Sequence, residues 1–145
     1  GKPPTVWEID KKRVSGASGY EVMHPDNDNR KDYSCVYDAS GRSDLLDDWI
    51  GHCAVGAEIV LAGFYADRIN FAFPQAFMKE IKLRISAEWK QADMRAVNSM
   101  VDEGHLSLDE LITNRAHAEN AAWAYRKAFE DESCSKMVLD WGNLQ

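Results

Sequence analysis

No stretch of this sequence stays apolar for long. The longest such run, "CAVGAEIVLAGFYA" from Cys53 to Ala66, is broken by Glu58. It falls short of the roughly 20 apolar residues a spanning helix needs, so no membrane span is expected. The first residues carry no basic-then-apolar leader, which speaks against a secretory signal. Cysteine is scarce: Cys35, Cys53 and Cys134 are the three present, far apart, with no CxxC pair and no histidine at ligand spacing. That pattern excludes a disulfide framework and a zinc knuckle; it predicts idle or buried thiols and no metal site. Positive charge is in deficit, 17 Lys and Arg against 24 Asp and Glu, for a formal net charge of -7. Because the basic residues are scattered rather than gathered in a stripe, a nucleic-acid surface is excluded. An acidic, soluble, cytoplasmic protein is expected.

Glycine is present but not in a phosphate-binding pattern. The chain contains no GxGxxG, and "GASG" at residues 16 to 19 neither follows a strand directly nor has the right spacing, so it reads as a helix-to-strand turn. His24, His52, His105 and His117 stand singly. No Ser-His-Asp or Cys-His grouping emerges from their order, and no catalytic residue is assigned.

What is there suffices for a core: 145 residues, 45% of them hydrophobic. Short β-rich runs alternate with amphipathic stretches. "PTVWEI", "YEVMH", "SCVYDAS" and "AEIVLAGFY" read as strands, the last almost continuously apolar, as a strand covered on both faces of a parallel sheet is. Between the last two, Leu45, Leu46, Trp49, Ile50 and Cys53 fall at helical spacing after a capping Ser43. Strand, helix, strand is the βαβ pattern of an α/β fold. Downstream, "FPQAFMKEIKLRIS" predicts a helix begun at Pro74 and then a strand. "DMRAVNSMVDEG" predicts a helix with Met94, Val97 and Val101 on one face and Gly104 as its stop. Ser107 and Glu110 form a capping box over a short helix ending near "ELIT". "AENAAWAYRKAFED" predicts a helix burying Ala118, Ala121, Ala122, Tyr125 and Phe129, and "CSKMVLDW" a closing strand. Trp49 and the aromatic residues of this last helix are expected in the core.

Two features carry chemistry. An acid at the tip of a second α/β strand accepts hydrogen bonds from both ribose hydroxyls of a dinucleotide and disfavours a 2′-phosphate. Glu8 and Asp10 compete for that position, and an ordinary solvated turn is the alternative for both. The strand ends "YDASG" and "LAGFY" place Ser40-Gly41 and Gly63 where open sheets bind ligands and where small residues let a flat ring approach the backbone. Glycines that merely serve tight turns explain them equally well.

The order "VWEIDKKRVSGASGYEV", "DYSCVYDASG", "GAEIVLAGFY", "FMKEIKLRIS", "GHLSLDELIT", "AAWAYRKAFED", "CSKMVLDW" resembles the medium-chain alcohol dehydrogenase superfamily, from its second Rossmann strand onward. The finer details "VWE", "SGASGYEV", "EIVLAGFY" and "KMVLDW" resemble the branch that oxidises a 1-hydroxyethyl substituent on a bacteriochlorophyllide-type macrocycle to acetyl with NAD. The resemblance implies an α/β fold with an incomplete Rossmann-type parallel sheet, lacking its first strand and glycine-rich turn, followed by C-terminal helices and a closing strand. It implies a partial NAD-binding domain over 1–88, and a segment over 89–145 that packs back toward a catalytic domain. In the family that domain and the phosphate turn precede the point where this chain opens, so the chain is expected to be truncated.

Position by position, the resemblance matches Glu8 to the ribose acid, because Arg13 and Ala17 then fall on the family's arginine and alanine; Asp10 would be two residues late. It matches Ser40 and Gly41 to the cofactor-facing end of the fourth strand. Ala62, Gly63 and Phe64, with Ser86, match the backbone that meets the nicotinamide carboxamide. Lys136 matches a basic residue that reaches the pyrophosphate in some relatives. Where relatives often read "ITH", this chain has Ile112-Thr113-Asn114. The partners implied are the macrocycle substrate and a possible further copy of the chain. A different medium-chain alcohol or polyol dehydrogenase, and a non-catalytic α/β interaction module, are the alternatives.

Overall fold

The computed structural model describes residues 3–10, 20–108, 111–131 and 133–142. Arg13, Ala17, the "GASG" turn and Glu110 of the expected capping box lie outside the described residues. The chain divides into two compact units, Asp28–Lys90 by itself and Gly1–Asn27 together with Gln91–Gln145.

The second of these opens with β1 (Thr5–Trp7) and β2 (Glu21–Met23), rich in β-branched and aromatic side chains that favour extended backbone. They pair in parallel with Val6 opposite Val22, and the Glu8 amide extends the ladder by donating to the Met23 carbonyl at 3.1 Å.

In the Asp28–Lys90 unit, β3 (Tyr33–Asp38), α1 (Leu46–His52) and β4 (Cys53–Leu61) make the expected crossover, and α2 (Phe73–Met78) leads into β5 (Lys82–Ile85). The sheet order is β3-β4-β5, parallel throughout. β4 is the central strand, which is why its sequence is free of polar side chains except at Glu58. Ile59 and Val60 are fully buried, and Leu46, Trp49 and Ile50 of α1 meet the same core at 5% exposure or less. Burying aliphatic side chains of this size stabilises by about 1.5–3 kcal/mol each, so this small cluster dominates the unit. β5, by contrast, is exposed at every residue, as the outer strand of the sheet.

Details of α1 differ from expectation. Ser43 does not cap it: the N-cap is Leu45, without a side-chain bond. The helix start is held by charge instead, with Asp47 and Asp48 in its first turn, where the helix dipole favours anions. Asp47 also accepts from the Ala72 amide at 2.7 Å, tying the starts of α1 and α2 together. Cys53 belongs to β4 rather than to the helix face. At the other end of α1, Lys79 Nζ donates to the carbonyls of Ile50, Gly51 and Cys53 at 2.8, 2.9 and 2.8 Å.

Helix α3 (Gln91–Asp102) ends as predicted at Gly104, whose φ of 72° is left-handed. The His105 amide reaches back to Met100 O at 2.8 Å and Gly104 N to Val101 O at 3.0 Å, the double closure of a Schellman stop. Its apolar stripe is not buried: Met94, Val97 and Val101 are 40%, 37% and 37% exposed.

β6 (Asn114–His117) was not expected, because "NRAH" has neither alternation nor β-branched residues. It exists through its parallel partner β7 (Met137–Asp140), whose Met-Val-Leu supplies the apolar side chains. Helix α4 (Ala121–Glu130) turns a different face inward from the one predicted: Ala124 is 1% exposed, while Tyr125 and Phe129 stack on each other at the surface, 59% and 83% exposed. Trp123, also expected in the core, is 49% exposed. An alanine face packs a helix close, and the aromatic rings then have no room beneath it.

Candidate cofactor-binding site

The C-terminal ends of β3 and β4 form a crest, and Asp38 is its tie. This last residue of β3 is 5% exposed. Its main-chain carbonyl accepts from the amides of Ala62 and Gly63 at 2.8 and 3.0 Å. Its carboxylate accepts from the Ser40 amide at 3.0 Å and from the Tyr65 hydroxyl. A buried carboxylate needs such donors, since leaving it unsatisfied is costly.

The two crest glycines are explained by each other. Gly41 has φ +70°, and a Cβ there would lie 2.5 Å from Phe64 O; a Cβ on Gly63 would lie 2.6 Å from Gly41 N and 2.9 Å from its Cα. Both loops therefore pack backbone against backbone, the close approach that only glycine permits. Beyond Gly41, the Arg42 guanidinium grips Asp44 through two bonds of 3.1 and 2.5 Å; that partner holds the Asp44 carboxyl below its ordinary range.

The crest thus brings together Ser40, Gly41, Ala62, Gly63 and Phe64, and Ser86 follows on the neighbouring strand, its amide donating to Leu61 O at 3.0 Å. Phe64 presents its ring to solvent at 91% exposure. The amides of Ala62, Gly63 and Ser86 are spent inside the sheet. Among the described residues all peptide bonds are trans, so a peptide whose N–H points one way turns its C=O the other. With Gly63 N–H aimed at Asp38, the Ala62 carbonyl points away from it. A carboxamide NH2 requires such an acceptor, and the Ala62 carbonyl is chemically suited to be one.

Glu8, Asp10 and Lys136 lie in the other unit. Glu8 stands directly after β1, and its Oε1 accepts from the Asp10 amide at 2.9 Å. A carboxylate at a strand tip fits a ribose diol. The backbone of Lys136 is taken up before β7, its carbonyl accepting from the amides of Thr113 and Asn114, both at 3.1 Å; its side chain is exposed. Arg13 lies outside the described residues.

Asp38 and Tyr65 escaped the sequence reading. An acid ending a strand has many ordinary uses, and the tyrosine stands 27 residues away; only the pairing of their two strands joins them. Among the described residues no group of three or more His, Cys, Asp or Glu is arranged to hold a metal ion, and no helix is long and apolar enough to cross a membrane. The three thiols are free, and burial pushes that of Cys53 up.

No protein-family model matches the chain. In sequence it is 53% identical over 141 residues to the 2-desacetyl-2-hydroxyethyl bacteriochlorophyllide A dehydrogenase of Rhodobacter capsulatus, covering 97% of this chain and 45% of that protein. It is 50% identical over 141 residues to the enzyme of the same name from Cereibacter sphaeroides, covering 97% of this chain and 44% of that protein. The chain thus spans less than half the length of these relatives. In fold it superposes on 2R,3R-butanediol dehydrogenase from Bacillus subtilis with a TM-score of 0.82 at 14% identity, covering 95% of this chain and 43% of that one. A short chain alcohol dehydrogenase from E. coli CFT073, complexed with NADH, gives a TM-score of 0.78 at 18% identity, covering 97% of this chain and 45% of that one. Sequence and fold together make the chain similar to the C-terminal part of medium-chain dehydrogenases.

Proposed function

We propose that the chain is the nucleotide-binding, C-terminal part of an NAD-dependent dehydrogenase that oxidises the 1-hydroxyethyl group of a bacteriochlorophyllide to acetyl, in bacteriochlorophyll a biosynthesis. The observation that carries this reading is the 53% identity over nearly the whole chain to a protein of that name. Residues 1–88 are the nucleotide part, and 89–145 pack back toward the catalytic domain. Glu8 takes the ribose hydroxyls, with Arg13 as the arginine matched beside it; Asp10, whose amide is turned onto Glu8, supports that acid. Ser40, Gly41, Ala62, Gly63, Phe64 and Ser86 form the wall against the nicotinamide, and Lys136 reaches toward the pyrophosphate.

When bound, NAD supplies the hydride acceptor. This chain's share is to hold the ring: the carbonyls of the crest receive the carboxamide, which fixes which face of the ring meets the alcohol carbon. The substrate carbon, and the group that takes the hydroxyl proton, are contributed by the remaining length of the enzyme. Work in the cytoplasm and association with a further copy belong to the same reading.

The second reading, a polyol dehydrogenase, rests on 28% identity over 115 residues to a D-xylulose reductase of Aspergillus oryzae. Full-length protein supplied with NAD and either a hydroxyethyl bacteriochlorin or a polyol separates the two. NADH formation with the bacteriochlorin alone is the expected result; NADH with the polyol alone would replace the first reading by the second.

A further inference from the structure

We infer that Asp38 and Tyr65 form a latch that aims the crest carbonyls, making them positioning residues for the nicotinamide end of the cofactor; this rests on the reading of the crest given above. Nearly every fixed point of the crest passes through Asp38. Its carbonyl holds the Ala62 and Gly63 amides, and its carboxylate holds the Ser40 amide on one loop and the Tyr65 hydroxyl on the other.

The consequence is directional. Between them lie Gly63, confined by Gly41, and Phe64, whose carbonyl abuts Gly41 at a separation no Cβ could enter. With Asp38 on one side and Tyr65 on the other, the stretch 62–65 is pinned at both ends, and trans geometry then turns the Ala62 carbonyl outward. Without the Tyr65 hydroxyl bond the far end is held only by packing. The crest keeps its glycines but loses the fixed angle of its acceptors.

This latch touches neither substrate nor cofactor. It is therefore separable from a purely structural role by a ligand that lacks the part the crest receives. ADP-ribose carries the adenosine, ribose and pyrophosphate of the dinucleotide without the nicotinamide. In full-length protein, Tyr65→Phe is expected to weaken NADH binding about tenfold, the equivalent of one well-placed hydrogen bond, and to leave ADP-ribose affinity as it was. Asp38→Asn keeps an acceptor for the Ser40 amide and can donate to the Tyr65 oxygen through its amide nitrogen, so it is expected to stay close to the wild type, whereas Asp38→Ala removes both bonds and is expected to weaken NADH binding at least as much as Tyr65→Phe.

Equal weakening of NADH and ADP-ribose by Tyr65→Phe would overturn the latch in favour of general destabilisation, and so would unchanged affinity for both. An Asp38→Ala protein that bound NADH as the wild type does would remove Asp38 from the assignment. If the wild-type protein itself bound NADH no better than ADP-ribose, the nicotinamide reading of the crest would fail first, and the latch with it.

Discussion

Gly63 is a residue whose type was readable long before its reason. In the sequence it marked the end of an apolar strand, and an approaching ring explained it as well as a turn did. The structure gives a third cause: the neighbouring loop's backbone occupies the volume of its missing side chain. Gly63→Ala should therefore lower the stability of the full-length protein by about 1–3 kcal/mol, as overpacking does. Gly51→Ala, where nothing lies within 4 Å of the added carbon, should leave stability level or slightly raised. Urea denaturation of the two variants checks this, and equal midpoints would mean that the crest yields without cost. Trp49 was legible because a large ring at helical spacing among leucines has little to do but enter a core. Asp38 was not, because its partners are remote in sequence and its value lies in where they end up.

At the scale of elements, patterns that recur within one segment translated well and patterns that need a partner did not. The crossover of β3, α1 and β4 follows from apolar periodicity, and the stop of α3 from one glycine. The capping of α1 shows the opposite. Ser43 has the right chemistry near the right place, yet the helix is secured by Lys79, which covers three carbonyls at its C-terminal end from the far side of α2. Those carbonyls lie in the last turn and just beyond it, where the helix runs out of donors four residues on, and Ile50 O also accepts from the Cys53 amide. Lys79→Met retains the aliphatic stem and deletes the donor, so a loss of about 2 kcal/mol is expected. Lys82→Met on the exposed outer strand should stay within about 0.5 kcal/mol of wild type. Thermal melts of both proteins decide it, and matching curves would show that solvent serves the carbonyls equally well. β6 and the inward face of α4 were illegible for the same reason as the cap: a polar strand is made by its neighbour, and a helix with small and aromatic residues on adjacent faces chooses between them only on packing.

At the scale of the whole chain, the ladders β1-β2 and β3-β4-β5 are separate parallel sheets. Among the described residues β1 and β3 each have a strand partner on one side only, and an unpaired parallel edge is both unstable and adhesive. A polypeptide of these 145 residues, produced alone, should show no single cooperative unfolding transition as a monomer. Calorimetry with sedimentation checks this, and a sharp transition from a monomeric sample would refute it. The sequence by itself determined the α/β class, the parallel crossover and the small-residue strand tips, since these follow from periodicity and backbone freedom acting within a few residues. Only the tertiary structure decided which helix face turned inward, that a polar segment became a strand, and that one buried aspartate ties two loops together. Each of those outcomes depends on groups brought close by folding from distant points in the chain, and the residues themselves carry no local mark of it.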